Sequence, residues 1–360
     1  MKIALVHDYL IQMGGAERVV SALHKIFSNA PIYTAAALSK KLSDELKDAD
    51  IKTSFLQNWP YMDKEFRMYF LLYPFAFSSF NLSQYDLIFS SSSAYAKGIN
   101  KRKGQIHVCY CHTPARFIWM QEEYLPEKNN PLLKFVLALL TPYLKSWDLK
   151  TADNVDHYIA NSNYVKERIK KIYKRDSVVI YPPVNCARFK TSTDVKGYFL
   201  ILSRLLHYKR IDIAVKAFNK LKIPLKIAGE GPAIGELKSI ANSNIEFMGY
   251  VSEQKAVELL SECKALVFPG REDFGIIPLE AAASGRPTIA FNGGGARETT
   301  ISGKTGVLFN LQNEESLINA VNQFNAMSFN SYEIIEHAKK FDISVFEKKI
   351  RGFINEIKIL

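Results

Sequence analysis

The chain has 360 residues, of which 48% are hydrophobic, and it carries a formal net charge of +11 at pH 7. A single hydrophobic core rarely organises so many residues, so we expect two domains, each with its own apolar interior. The basic residues are scattered and include no helix-turn-helix, zinc-finger or RNA-binding signature, which excludes nucleic acid as the expected partner and favours an anionic membrane face or a phosphorylated substrate.

The four cysteines are too few and too unevenly spaced for a disulfide scaffold. Two of them alternate in residues 106–111, a strand pattern in which cysteines belong to the core rather than to a metal site. Residues 1–6 form a strand pattern and not a signal peptide. The most apolar run, 131–141, is interrupted by Lys134 and is too short to span a membrane. The sequence therefore predicts a reduced cytoplasmic protein without a bound metal.

Strand patterns alternate with helical patterns along the chain, which predicts an α/β protein with parallel sheets covered by helices on both faces. The paired prolines in residues 178–184 suit a linker. We predict two doubly wound Rossmann-like domains, residues 1–181 and 182–340, and a terminal amphipathic helix within 341–360 that packs toward the first domain. The predicted strands are 3–6, 87–90, 106–110 and 157–161 in the first domain, and 198–202, 225–229, 245–249, 265–269 and 287–291 in the second.

The loops that follow these strands are the candidate binding sites. Open parallel sheets bind ligands at the carboxyl ends of their strands. Two such domains in series are therefore expected to face each other across a cleft, with these loops along it.

In the first domain, adjacent glycines and a histidine follow predicted strands. Gly14 and Gly15 open a helix and allow backbone amides to approach an anion or a sugar closely. Their loop lacks the spacing of a dinucleotide-binding or P-loop motif. His112 is suited to accept a bond from a substrate hydroxyl or to carry a proton near neutral pH. A structural role is an equal alternative for a lone histidine, and its place at the strand end favours function.

In the second domain, a basic loop follows the first strand. Arg204 and Lys209 are suited to neutralise a diphosphate without a metal, Arg through its bidentate fork and Lys as a point charge. Arg210 is assigned to the solvated surface. Residues 229–232 are expected to form a structural turn, and residues 292–298 a flexible loop that either approaches a nucleotide or only turns the chain.

Two glutamates, Glu272 and Glu280, bracket a glycine turn and a helix that is predicted to open at Pro278. Carboxylates in this position accept hydrogen bonds from neutral diols, which favours a sugar over a phosphate. The alternative for Glu280 is a first-turn acid that is favoured only by the helix dipole.

Taken together, these motifs resemble the retaining glycosyltransferases of family 4, which have the GT-B fold. The resemblance spans nearly the whole chain and rests above all on the Glu-x7-Glu pair. It implies an enzyme that moves a sugar from a nucleotide diphosphate to an acceptor hydroxyl, retains the anomeric configuration and needs no metal or other cofactor. The other matching segments are 14–15, 112–117, 160–162, 181–184 and 203–210.

The resemblance also implies a role for each matching residue. Glu280 would bind the donor ribose, and Glu272 would face the transferred sugar. The set implied to act in catalysis is Glu272, His112, Arg204 and Lys209. Of these, Arg204 and Lys209 would hold the leaving diphosphate and His112 a hydroxyl of the sugar. The donor-binding set is Gly14, Gly15, Arg204, Lys209, Tyr250, Glu272, Phe274, Gly275, Ile276 and Glu280.

Residues 7–10 and 272–276 are most similar to the bacterial mannosyltransferases of O-antigen, lipopolysaccharide and capsule synthesis, which implies GDP-mannose as the donor. Aromatic, aliphatic and basic residues mix in 66–73 and 131–147, which fits a polyprenyl-diphosphate-linked saccharide acceptor and peripheral contact with the cytoplasmic face of the inner membrane. Two core helices are an equal alternative for these segments. A UDP-sugar donor, a GT-B-like nucleotide-sugar epimerase and a non-catalytic saccharide-binding module stay open as alternatives.

Overall fold

The computed structural model describes residues 1–121 and 131–359. It divides the chain into two compact units, unit 1 with residues 1–183 and 346–360, and unit 2 with residues 184–345. The predicted boundaries, after residues 181 and 340, lie two and five residues earlier than these.

Unit 1 is built on one parallel sheet. Its strands, in chain order, are Ile3–His7 (β1), Ile32–Thr34 (β2), Ile51–Thr53 (β3), Leu87–Ser92 (β4), Ile106–Cys111 (β5), His157–Ala160 (β6) and Ser177–Val179 (β7). They lie in the order β3-β2-β1-β4-β5-β6-β7. The central strands β1, β4 and β5 are almost fully buried, as parallel strands covered on both faces must be. The sequence predicts β1, β4, β5 and β6 correctly but misses the three-residue strands β2, β3 and β7, the last of which overlaps the predicted linker.

The helices of unit 1 connect these strands. They are Gly15–Ile26 (α1), Met62–Glu65 (α2), Tyr73–Ser78 (α3), Arg116–Trp119 (α4), Pro131–Asp153 (α5) and Asn163–Tyr173 (α6). Ser162 caps α6, because its hydroxyl accepts the Val165 N–H at 3.1 Å. Within residues 1–121 and 131–359, we find no helix that is long and apolar enough to cross a membrane.

A buried ion pair joins the segment after β4 to the helices of unit 1. Lys97 and Asp148 pair with their side chains almost fully enclosed. The indole N–H of Trp119 and the hydroxyl of Tyr173 donate to the same carboxylate at 2.7 and 2.9 Å. Asp148 therefore holds α4 and α6 to α5, and loss of either charge would leave the other buried without its ionic partner.

Unit 2 contains a second parallel sheet. Its strands are Phe199–Leu202 (β8), Leu225–Ala228 (β9), Ile245–Gly249 (β10), Leu266–Phe268 (β11), Thr288–Phe291 (β12) and Gly306–Phe309 (β13), in the order β10-β9-β8-β11-β12-β13. The sequence predicts β8 to β12 and misses the edge strand β13. The helices are Ile211–Leu221 (α7), Ile234–Ser239 (α8), Glu253–Glu262 (α9), Ile276–Ala283 (α10), Ala296–Thr299 (α11), Glu314–Asn325 (α12) and Ser331–Lys339 (α13).

The terminal helix, Ile343–Ile359 (α14), begins in unit 2 and belongs to unit 1 from Phe346 onward. In unit 1 the Phe346 ring lies 6.0 Å from Tyr110, and the Phe353 ring lies 6.1 Å from His157. These two aromatic contacts anchor the apolar face of the helix on β5 and β6.

Candidate active site

All six strands of unit 2 are parallel, so their carboxyl ends lie at one edge of the sheet. Backbone hydrogen bonds connect the loops along this edge. The Gly229 N–H donates to the Gly249 carbonyl at 2.7 Å, and the Leu205 N–H donates to the Glu230 carbonyl at 2.8 Å. The loops after β8, β9 and β10 therefore form one continuous surface.

Lys209 and Glu272 meet on this edge. Lys209 ends a short 3-10 turn after β8, Glu272 follows β11, and the ammonium donates to the carboxylate. The two side chains are only 13% and 19% exposed. Gly270 makes the approach feasible, because a Cβ there would lie 2.9 Å from the backbone of Lys209. The structure thus joins two predicted site residues that are separated by more than sixty positions in the sequence.

The glycine loop after β12 holds Glu272 by its backbone. The Gly295 N–H donates to the Glu272 carbonyl at 2.8 Å, and Gly294 forms a parallel bridge with Glu272. Gly294 has φ +63°, and a Cβ there would lie 2.1 Å from the Glu272 carbonyl oxygen. The expectation of a flexible loop at 292–298 is wrong, because its three glycines are buried and packed against the segment that carries Glu272.

The helix after Glu272 begins earlier than the sequence predicts. Gly275 is its N-cap with φ +89°, and α10 starts at Ile276 rather than at Pro278. Glu280 is therefore the fifth helical residue, and the first turn of α10 contains no acid. Its side chain is 5% exposed. The alternative that Glu280 is a first-turn acid stabilised by the dipole is thus wrong, since that effect falls off within the first turn.

A buried side chain anchors the backbone between the two glutamates. The Phe274 ring is buried and lies 5.9 Å from the ring of Phe341. The next two residues, Gly275 and Ile276, are the N-cap and the first residue of α10. N–H groups at a helix start have no partner within the helix, so they suit an oxygen ligand.

Arg204 and Tyr250 lie farther out on the same edge. Arg204 is exposed on the loop that carries Lys209. Tyr250 directly follows β10, and its side chain is 76% exposed. Both remain accessible to a ligand that binds along the loops.

The predicted residues of unit 1 lie at the carboxyl edge of its own sheet. Gly14 is the N-cap of α1 and Gly15 its first residue, as the sequence predicts. The Glu17 carboxylate accepts the Gly14 N–H at 2.9 Å and is itself buried. This capping bond, which the sequence analysis missed, fixes the loop conformation and occupies one of the amides at the helix start.

Asp8 organises the same edge from the end of β1. Its buried carboxylate accepts N–H groups from four consecutive residues at 2.6 to 3.1 Å. Four donors on one carboxylate make a strong, charge-assisted lock between β1 and the segment after β4. A carboxylate that accepts such bonds cannot be recognised from the sequence, because its donors are main-chain groups, here the N–H groups of residues 93–96.

His112 directly follows β5 and is almost fully buried. Its Nε2 lies 2.8 Å from the Ser91 hydroxyl, and its carbonyl accepts the Asn161 side-chain amide at 2.9 Å. Burial, with a smaller contribution from the charge of His7, lowers the pKa of His112 to about 3. Of the two roles predicted for His112, this lowered pKa favours a neutral hydrogen-bonding ring over one that carries a proton near neutral pH.

Two family models match consecutive parts of the chain. One is described as Glycosyltransferase Family 4 and covers residues 13–188, and the other is described as Glycosyl transferases group 1 and covers residues 187–341. This chain is a family 4 glycosyltransferase.

The glycosyltransferase is similar to two curated mannosyltransferases. It is 24% identical to the alpha-1,3/1,6-mannosyltransferase ALG2 of Dictyostelium discoideum over 304 residues, which cover 69% of this chain and 70% of that protein. It is 26% identical to the O-antigen chain mannosyltransferase C of Escherichia coli over 215 residues, which cover 54% of this chain and 56% of that protein. Across eight curated relatives, the chain spans between 54% and 78% of their own length.

A solved structure of Anabaena HepE in complex with UDP-glucose has the same fold. It superposes on the glycosyltransferase with a TM-score of 0.74 at 18% identity, covering 99% of this chain and 100% of that chain. The predicted fold class, GT-B with two Rossmann-like units, is confirmed.

The glycosyltransferase shows no cluster of three or more His, Cys, Asp or Glu side chains that could hold a metal ion, as far as the described residues extend. Cys109 and Cys111 are buried in β5, and burial raises the pKa of the Cys109 thiol to about 12. Cys109 is therefore a core residue, as its strand pattern predicts.

Proposed function

We propose that this glycosyltransferase transfers mannose from GDP-mannose to a saccharide acceptor and retains the anomeric configuration. A nucleotide-sugar donor is supported above all by one observation. Lys209, Glu272 and the start of α10 lie together at one edge of the sheet. The choice of mannose is supported by the relatives that are named as mannosyltransferases. A UDP-sugar donor is the second candidate, supported by the UDP-glucose in the HepE complex.

Cations at the edge of unit 2 suit the leaving group of this reaction. Breaking the anomeric bond places negative charge on the diphosphate and positive character on the sugar. In the proposal, Arg204 and Lys209 stabilise the diphosphate, and Glu272 stabilises the sugar. Because Lys209 already pairs with Glu272, a bound diphosphate competes for the ammonium and frees the carboxylate to accept bonds from sugar hydroxyls.

The proposed reaction needs no covalent glycosyl-enzyme intermediate. The acceptor oxygen attacks the anomeric carbon on the face from which the diphosphate leaves, and the acceptor proton passes to a leaving phosphate oxygen. Gly14 and Gly15 give the phosphates access to backbone amides of unit 1, and His112 binds a hydroxyl of the sugar. The remaining donor contacts are assigned to Tyr250, Phe274, Gly275, Ile276 and Glu280.

Glu280 is proposed to bind the ribose hydroxyls of the donor. Glu280→Ala is expected to weaken GDP binding by about 10- to 100-fold, because hydrogen bonds to a charged group contribute about 1.5–3 kcal/mol. Calorimetric titration measures this. Glu280→Gln keeps the shape of the buried side chain and is expected to lose less affinity. The exposed helical acid Glu315 supplies the control Glu315→Ala. Unchanged GDP affinity in folded Glu280→Ala would contradict the assignment.

The acceptor is proposed to be a polyprenyl-diphosphate-linked saccharide, met by unit 1 at the cytoplasmic face of the membrane during surface polysaccharide synthesis. Segment 66–73 divides between core and surface, since Phe66 and Tyr73 are buried and Met68 is exposed. In segment 131–147, the side chains of residues 131–137 lie outside the described residues. An aromatic cluster adjoins the exposed part, with the Trp59 ring 5.4 Å from that of Tyr69. Exposed apolar side chains in or near these segments in sequence are Phe55, Trp59, Tyr61, Met68, Phe75, Leu139 and Tyr143.

This surface predicts peripheral membrane binding. The double variant Tyr61→Ser/Met68→Ser is expected to reduce sedimentation with vesicles that contain anionic phospholipid by about 5-fold or more, because apolar area and interfacial aromatic rings are lost. Tyr332→Ser, at an equally exposed tyrosine of unit 2, is the matched control. Equal binding of both variants and the parent protein would contradict this surface, and absence of any binding would contradict membrane association.

Titration with GDP and with UDP tests the donor. The proposal expects the tighter binding for GDP, and then mannose transfer from GDP-mannose to a lipid-linked saccharide in the presence of a chelator. Tighter UDP binding favours the second donor candidate. Loss of transfer on chelation would contradict metal independence, and free isomerised sugar formed without acceptor would indicate an epimerase instead.

A further inference from the structure

Two histidines meet Ser91 at the carboxyl edge of the unit 1 sheet, where β1, β4 and β5 are neighbours. His7 ends β1 and lies opposite Ser91 of β4 in the sheet register. The Ser91 carbonyl lies 3.0 Å from Nδ1 of His7, and the Ser91 hydroxyl lies 2.8 Å from Nε2 of His112. Ser91 therefore contacts both imidazoles, each through a different oxygen.

The bonding partners fix where the protons lie. A carbonyl only accepts, so Nδ1 of His7 carries a hydrogen and donates to Ser91. The Ser91 hydroxyl is buried, and Nε2 of His112 is its one hydrogen-bonding partner among the described residues. If His112 donated to this hydroxyl, the hydroxyl hydrogen would be enclosed without an acceptor, which costs free energy. The arrangement that satisfies both groups has Ser91 donating to Nε2.

The state of the His112 ring follows from this bond. The ring is neutral near pH 7, since burial is the main cause that lowers its pKa to about 3. A neutral imidazole has one N–H, and with Nε2 accepting from Ser91 that hydrogen resides on Nδ1. His112 then offers a donor to a ligand, not the acceptor that its sequence context suggested.

We propose that Ser91 is a positioning residue that holds His112 in the Nδ1–H tautomer, so that His112 donates a hydrogen bond to a hydroxyl oxygen of the transferred sugar. The sugar contact rests on the proposed function, whereas the tautomer rests on the contacts within unit 1. A neutral donor orients a hydroxyl without placing positive charge beside a sugar that itself becomes positive as the bond breaks.

Side-chain nitrogen NMR of the whole protein tests the tautomer without any ligand. The expected result is that His112 is in the Nδ1–H form, that Ser91→Ala adds a population of the Nε2–H form, and that Ser91→Thr, which keeps a hydroxyl, restores the parent signal. An Nε2–H form in the parent protein, or an unchanged spectrum in Ser91→Ala, would overturn the proposal.

Calorimetry with GDP and GDP-mannose tests the sugar contact. Ser91→Ala is expected to weaken GDP-mannose binding by about 5- to 20-fold and GDP binding by less than about 2-fold, because only the sugar loses an oriented donor. Equal effects on the two ligands, or none, would overturn the sugar contact. If the parent protein binds neither ligand, the proposed donor fails while the NMR result still decides the tautomer.

The same sheet supplies a matched control. The Ser90 hydroxyl lies 2.8 Å from Nε2 of His107, which is fully buried and has its pKa lowered to about 3 by burial. Ser90→Ala removes a hydroxyl–imidazole bond of the same length from a histidine near the opposite end of β5, although the Ser90 hydroxyl also contacts the Val108 carbonyl at 3.5 Å. It is expected to leave the GDP-mannose to GDP affinity ratio unchanged. A ratio that falls as far as in Ser91→Ala would show a general loss of structure and overturn the positioning role.

Discussion

Lys209→Met is expected to lower kcat/KM for sugar transfer by about 10²- to 10³-fold, the effect of removing one preorganised group that stabilises transition-state charge. The substitution keeps an unbranched side chain of similar length in the 3-10 turn but removes the ammonium group that pairs with the Glu272 carboxylate. Most of the loss is expected in kcat, because charge on the diphosphate grows as the anomeric bond breaks. Steady-state transfer kinetics with the nucleotide sugar measure it.

The ion pair makes a stability control necessary. In Lys209→Met the Glu272 carboxylate stays largely enclosed without its partner, which is expected to cost about 1–3 kcal/mol. The double variant Lys209→Met/Glu272→Gln removes that unpaired charge, so it is expected to recover stability but not transfer. Lys226→Met is a further control, since Lys226 pairs with Glu246 across β9 and β10 on a more exposed surface. Recovery of transfer together with stability in the double variant would show that Lys209 acts only structurally.

Gly294→Ala is expected to disrupt the setting of Glu272 although it touches no side chain of the site. The residue has φ +63°, and the new Cβ would lie 2.1 Å from the Glu272 carbonyl oxygen, a backbone atom that cannot rotate away. The free energy of unfolding of unit 2 is expected to fall by more than about 2 kcal/mol, since the left-handed conformation alone costs a non-glycine residue about 1–2 kcal/mol. Amide hydrogen exchange at Gly295, which donates to Glu272, is expected to accelerate at least 10-fold.

Gly303 separates backbone strain from collision. It has φ +82°, but a Cβ there would meet only the end of Met327 at 4.0 Å. Gly303→Ala is therefore expected to cost about 1–2 kcal/mol and to leave exchange at Gly295 and nucleotide affinity unchanged. If Gly294→Ala behaves like Gly303→Ala in both respects, the glycine loop does not position Glu272.

The features that the sequence predicts are those with a local signal. The buried strands of both sheets are apolar runs bounded by turns, and Gly14 and Gly15 mark the start of α1 because glycine permits a close turn. The short strands β2, β3, β7 and β13 escape prediction, since three or four residues carry too little pattern. The start of α10 is placed two residues late because Pro278 suggests the first helical position, whereas Gly275 is the actual cap.

Partners distant in sequence account for most of what the site adds. Nothing local in 292–298 indicates that its glycines pack on Glu272, because that contact depends on the adjacency of β11 and β12. The Ser91 to His112 bond likewise arises from the pairing of β4 with β5. The burial that makes His112 neutral is a property of the folded unit, so the sequence suggested a proton that the structure does not support.

Amide hydrogen–deuterium exchange with and without saturating GDP-mannose tests the central claim most directly, namely that the carboxyl edge of the unit 2 sheet binds a nucleotide-sugar donor. The account predicts slower exchange concentrated in residues 203–210 and 270–280, with the Glu280→Ala variant losing this protection at the same ligand concentration. Protection confined to other parts of unit 2, or no protection in the parent protein, would contradict it.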